Sequence, residues 1–244
     1  MKELNFLMKP IIVASALALL GAASAAHADM TVVQNTKIDS PQLKAYMESM
    51  TPAQRAQMSK MGNPLLSGAP MRSTIYQHGT KTRADVGGTS YIVDSATKQT
   101  TLINRRNHTY TVRPYQATAP QGTPQAKVKD TGQTKMISGH LAHRYLLSAT
   151  IPAQPGTLIQ GDVWTASDIA QPPSLSGGGP LSSMQNVFRQ IKGFPLKSTL
   201  AVTGSPLGST TVTTSLVSIS KSAVPASAFA IPAGYKKTEM NAGM

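Results

Sequence analysis

Between Arg72 and Tyr115 the chain alternates apolar and polar residues with a period of two, and turn-forming clusters break the pattern at short intervals. Tyr91 with Val93, and Tyr110 with Val112, are separated by polar residues, as a sheet buried on one face requires. The turn signals are His78-Gly79-Thr80, Gly87-Gly88, the stretch 94–98, and Asn104 to Asn107. These links are too short for the crossovers that parallel strands need. The pattern therefore predicts five strands in an antiparallel meander.

Two short helices are expected before it. In "SPQLKAYMESM", Ser40 caps and Pro41 takes the first helical position, with Leu43, Met47 and Met50 on one face. In "TPAQRAQMSKMG", Thr51 caps, Met58 and Met61 follow, and Gly62 closes. A methionine stripe of this kind reads as adaptable core rather than as a ligand surface. After the meander, "QATAPQGTPQ" is a surface loop. Three more strands follow, in "KVKDTGQTKMISG", "LAHRYLLSATI" and "TLIQGDVWTAS". "DIAQPPSLSGGG" reads as a linker, "PLSSMQNVFRQIKG" as a third helix, and "LKSTLAVTG" with "STTVTTSLVSISKS" as a hairpin. No repeat of solenoid length is visible. The fold class expected is α+β: a single large curved antiparallel sheet, a half-barrel of about ten to eleven strands, packed over a few short helices.

The segment 1–28 reads as a leader. Lys2 and Lys9 make a positive start, and Ile11 to Ala26 run without a charge. That run is short of the ~20 residues that span a bilayer. "AHA" at Ala26-His27-Ala28 presents the small residues that signal peptidase requires, with "ASA" ending at Ala25 as an alternative cut. The sequence has no cysteine, which removes a lipid-modified anchor, disulfides and thiolate chemistry. The expected organisation is a signal peptide over 1–28, one domain over 29–237 and a disordered tail over 238–244. The expected location is the periplasm, as a protein without a lipid anchor.

A formal net charge of +13 favours anionic partners such as a membrane surface. The cations are dispersed, with Arg105-Arg106 and Lys236-Lys237 as adjacent pairs, so no nucleic-acid stripe is expected. Catalytic patterns are missing from the sequence. His140 and His143 stand three apart on a strand, which sends them to opposite faces rather than to one metal. No G-x-S-x-G elbow occurs, and Asp162 with Asp168 is the nearest acidic pair on the later strands. "SGGGPL" lacks the lysine of a phosphate loop. The chain is expected to be non-enzymatic and without a cofactor.

The C-terminal stretch "SAVPASAFAIPAGYKK" fixes two prolines, a Phe and a Gly-Tyr pair. Pro225 cannot donate to a sheet, so the last long strand must stop near Ala223. Phe229 can then fold back as an apolar plug, and Tyr235 can lay its ring on the rim. Together with Gly132, Thr134, Ile137 and Gly139 of "GQTKMISG", and with Trp164, Asp168 and Pro172, this order resembles uncharacterised bacterial envelope proteins grouped with the LolA/LolB-like outer-membrane lipoprotein carriers. The resemblance spans roughly Arg72 to Lys237. It implies an eleven-stranded half-barrel over helices with an apolar cavity, of the kind that holds acyl chains in known carriers.

The function expected is therefore a periplasmic binding or carrier protein for a hydrophobic ligand, lipid or acylated. The alternative is a structural envelope factor with a filled core that acts through its basic surface. Candidate wall residues are Met47, Met50, Tyr110, Tyr145, Trp164, Phe188 and Ile191, any of which can equally be ordinary core.

Overall fold

The computed structural model describes residues 29–54, 70–114, 126–150, 156–169, 190–205 and 208–239. Strand β1 (Met30–Asp39) leads into helix α1 (Pro41–Ser49). The meander follows as β2 (Met71–His78), β3 (Lys81–Val86), β4 (Thr89–Asp94), β5 (Gln99–Asn104) and β6 (Thr109–Pro114). The second half comprises β7 (Ala126–Ile137), β8 (His140–Thr150), β9 (Leu158–Ala166), β10 (Phe194–Ser205) and β11 (Gly208–Ser220). A 3₁₀ turn (Ala226–Phe229) and the two-residue β12 (Lys236–Lys237) complete the described elements.

All twelve strands form one open sheet in the order β12-β6-β5-β4-β3-β2-β1-β11-β10-β9-β8-β7. Neighbours are antiparallel except β12, which lies parallel to β6. Ten strands fall where alternation and turn chemistry place them. The count is higher by β1 and β12. The side chains of β1 mix both characters on both faces, Met30-Val32-Gln34-Thr36 against Thr31-Val33-Asn35-Lys37, so no apolar period marks it. β12 is too short to carry a period at all.

Local chemistry explains the turns. The Asp94 carboxylate accepts from the amides of Ala96 and Thr97, and Asn104 repeats this with Arg106 and Asn107. Each loop then ends on a residue of positive φ, Lys98 and His108. Ser40 accepts from the Leu43 amide with Pro41 at the helix start, and Leu43 and Met47 are the least exposed positions of α1. Thr51 and Gln54 form a reciprocal capping box, each side chain accepting from the other's amide at 3.3 and 2.9 Å. Only 52–54 of the second expected helix are described. Most of the third, with Phe188, lies outside the described residues, as do the leader 1–28 and the end of the tail. Among the described residues, no helix is long and apolar enough to cross a membrane.

One face of the sheet is largely buried on the interior strands; the other buries Ala142, Trp164, Ala166 and Phe194 on β8–β10 and is covered again over the meander. There the C-terminal segment lies across β3 to β6. Phe229 and Val224 join Ile92 and Ile103 in one apolar cluster, flanked by Tyr76, Tyr110 and Tyr235. Arg83 ties the segment down: Nη1 donates to the Ala228 carbonyl at 2.6 Å while Nε pairs with Asp85 at 2.7 Å. Tyr235 stacks on His108 with ring centroids 5.2 Å apart. Pairing continues beyond the expected boundary at 237, since the Thr238 amide donates to the Tyr110 carbonyl. At the start of the described chain, the Asp29 carboxylate accepts from the Val224 amide and meets His78 Nδ1, both at 2.7 Å. The Val224 amide first, and His78 next, hold the Asp29 carboxyl below its ordinary value.

Two outcomes follow. Phe229→Ala should cost about 3 kcal/mol of stability in a denaturant titration, the scale of an emptied aromatic site. The Asp29 contribution should be present above the unfolded carboxyl value near 3.8 and vanish as pH falls through the lower folded value. Asp29→Asn should therefore lower the melting temperature at neutral pH and converge with wild type in acid. A constant gap between the two melting curves at every pH would contradict this.

Candidate functional site

The inward face is built from alternate positions in register; β6 and β7, towards its two edges, carry no fully buried side chain. One row runs Tyr145, Val163, Ser198, Thr214, Thr36 and Met71 across β8, β9, β10, β11, β1 and β2. On the β7–β10 side of this row lies an apolar cluster that includes Tyr145, Leu147, Ile159, Val163, Ile191 and Leu200. A second cluster joins Val32, Ile75, Ala84 and Val93 on the meander side with Leu196, Phe194, Ala166 and Leu216 of the second half. Between them sits a band of short polar side chains. Thr36 and Thr214 share a hydroxyl hydrogen bond at 3.2 Å, Ser198 flanks Thr214, and Ser73 pairs with Gln34 in the next row.

The band is buried but incompletely satisfied. Gln34 is 4% exposed, Ser198 0% and Thr210 8%. Gln34 Nε2, Ser198 Oγ and Thr210 Oγ1 nevertheless have no hydrogen-bond partner among the described residues. Each such group costs about 1–3 kcal/mol relative to a paired one. Native interiors keep unsatisfied groups at that cost only where something else is served, such as a ligand or a trapped water. Gln34 and Ser198 stand on strands separated by β11 and two residues apart in register, so their backbones are about 10 Å or more apart. The face can therefore offer a donor and a hydroxyl in its middle and apolar surface on both sides.

At the end of the same row the Asp130 carboxylate faces the Tyr145 hydroxyl. Burial chiefly, then the charge and hydrogen bond of Asp130, raise the Tyr145 phenol above its ordinary value. This phenol stays protonated at neutral pH and acts as a donor, not as a base. Among the described residues no group of three potential metal ligands converges. His140 pairs with Asp168 at 2.7 Å, and the hydrogen bond from His140 lowers the Asp168 carboxyl.

The expected wall residues are only partly brought together. Tyr145 and Ile191 share one cluster on the buried face. Met50 is buried just past α1 and Met47 is half-exposed on it. Tyr110 lies on the other face, under the C-terminal segment. Trp164 also points to the other face, because it is in register with Arg144 and one residue off the inward-facing Val163. There Lys135 Nζ sits 3.8 Å above the indole and the Arg144 guanidinium carbon 5.8 Å away. Tyr110 and Trp164 thus cannot line a wall with Tyr145. The polar band was not among the candidates. Gln, Ser and Thr are common on solvated faces, and nothing in the local sequence tells an inward from an outward one.

The described chain is thus an open twelve-stranded sheet whose inward face mixes apolar clusters with short polar side chains. The chain belongs to the family described as a domain of unknown function (DUF4412), which matches residues 35–235. No curated protein sequence matches. Among solved structures, one of PNGF-II in space group C2 is similar at 14% identity and a TM-score of 0.41, covering 88% of this chain. This chain spans only 31% of the length of that one. A LolA superfamily protein from Nitrosomonas europaea is similar at 7% identity and a TM-score of 0.30, covering 83% of this chain and 90% of its own. Both scores are too low to carry a structural argument.

Ser198→Ala tests whether the orphaned hydroxyl is a cost in the isolated protein. The variant should be equal to wild type or more stable by about 1 kcal/mol. A loss of about 1 kcal/mol or more in denaturant titration would show that the hydroxyl is satisfied in solution.

Proposed function

We propose that this protein is a non-enzymatic binding or carrier protein of the bacterial periplasm, and that it holds a lipid or acylated ligand against the buried face of its sheet. The observation that supports this reading is the polar band with unpartnered Gln34 and Ser198 between two apolar clusters. An amphiphile matches that order: its hydrocarbon lies on the Tyr145–Leu200 side or the Val32–Leu216 side, and polar groups along its head region meet Gln34 Nε2 and Ser198 Oγ. Most ligand sites combine apolar walls with a few placed polar groups in the same way. The leader-like segment 1–28 supports export, and a sequence without cysteine offers no thiol for a lipid anchor.

The test is native mass spectrometry of protein isolated gently from the envelope of its own host. Carriage predicts an added mass that partitions into organic solvent and analyses as a lipid. Ser198→Ala and Gln34→Leu should retain less of it while melting no lower than wild type when stripped. A clean apo mass for wild type, unchanged after incubation with total host lipid, would leave the filled structural factor as the better reading.

A further inference from the structure

The inward face carries few charges. On β1 to β11, among the described residues, the full charges at inward positions are Arg113 on β6 and Asp130 on β7. The register fixes the side on which Arg113 stands. It lies opposite Thr100, which lies opposite Val93, two residues along from Tyr91. Tyr91 is in register with Ala84, Ile75 and Val32 of the inward face. Asp130 is at the other end of the strand order, where it accepts from the Gly132 amide at 2.8 Å and faces Tyr145.

Arg113 is half-buried, yet among the described residues it makes no hydrogen bond or ion pair. The segments outside the described residues hold no acidic side chain for it either, since beyond Glu3 they contain no Asp or Glu. Arg83, on the other face of the same meander, shows the usual arrangement, with Asp85 at 2.7 Å and the Ala228 carbonyl at 2.6 Å. Cations drawn away from water are normally paired in this way.

Tyr91 stands beside the unpaired guanidinium. Burial chiefly raises its phenol, and the Arg113 charge opposes that rise, so the two groups are within electrostatic reach. The hydroxyl stays protonated at neutral pH and can donate. Leu102 lies opposite Tyr91, and Val93 and Ala84 continue from there into the larger apolar cluster. An inward charge can also guard a sheet edge against pairing. A guard needs neither a second donor beside it nor an apolar track leading away.

We propose that Arg113 and the Tyr91 hydroxyl form an oxyanion subsite, and that it takes a carboxylate or phosphate borne on an apolar body. The head accepts from the guanidinium and the phenol, and the body lies over Leu102 towards Val93 and Ala84. The subsite is separate from the polar band: β6 is five strands from β1, about 24 Å along the sheet. It stands or falls independently of what Gln34 and Ser198 hold.

The test is calorimetric titration of the full chain at neutral pH with dodecyl phosphate, dodecanol and inorganic phosphate, each below the concentration at which it aggregates. Dodecyl phosphate should bind at least about tenfold more tightly than either of the others, the scale of a charged hydrogen bond. Arg113→Gln should lose about tenfold for dodecyl phosphate and leave dodecanol unchanged. Tyr91→Phe, which keeps the ring, should lose about threefold and serves if the arginine variant folds poorly. Lys127→Gln, on the opposite face, should bind as wild type does. Dodecanol binding as tightly as dodecyl phosphate would overturn the subsite while leaving the carrier reading in place. Undiminished binding by both site variants, or an equal loss in Lys127→Gln, would also overturn it. Inorganic phosphate binding as tightly as its dodecyl ester, and lost in Arg113→Gln, would overturn the apolar body and identify a free anion as the ligand.

Discussion

The sheet depends on β1. Its one edge pairs with β2, which opens the meander, and its other edge pairs with β11, which closes the second half. Without this strand, β2–β6 and β7–β11 are two separate antiparallel ribbons. Each would expose a row of backbone donors and acceptors and half of a buried face. The Thr36–Thr214 hydrogen bond joins residues 178 positions apart, so the strand pairing that unifies the molecule is also its most non-local. Ordering so long a loop is entropically expensive and is recovered only when both edges of β1 are filled.

The same strand carries the middle of the candidate site. Gln34 and Thr36 belong to β1, Thr214 to β11 and Ser198 to β10, so the polar band exists only once the two halves have joined. One apolar cluster lies within the second half, and the other joins residues of both halves, such as Val32, Ile75 and Val93 with Ala142, Phe194 and Leu196. Structure and site thus share one seam. The register shift between Val33 and Gln34 lies at that seam and bends β1 next to the unpartnered amide.

The two faces of the sheet divide its work. Inward positions hold the mixed apolar and polar surface on which the carrier reading rests. Outward positions are treated in two ways. Over the meander they are covered by Val224 and Phe229, with Arg83 and Asp29 holding the cover in place at backbone atoms. Over β7–β11 they carry lysines and arginines beside a buried patch of Ala142, Ala166 and Phe194, and the only tryptophan of the chain is shielded by two of the cations. A ring under two cations gives up its exposure to their stems while the charges remain in water.

Much of this was legible in the sequence where physics is local. Period-two alternation and the turn residues after His78, Val86, Asp94 and Asn104 placed β2 to β6, and Ser40 with Pro41 placed α1, because each depends on side chains within a few residues. The C-terminal prolines and Phe229 marked a segment that leaves the sheet and folds back. Alternation does not reveal which of its two faces turns inward, so Tyr110 and Trp164 could not be separated from Tyr145. A strand such as β1, whose two faces are equally mixed, acquires its identity only from partners nearly the whole chain away. The sequence determined strands, turns and charge; only tertiary pairing decided which side is buried, which polar atoms lack partners there and which cations share a surface, because register between distant strands is set by their joint packing and not by either strand alone.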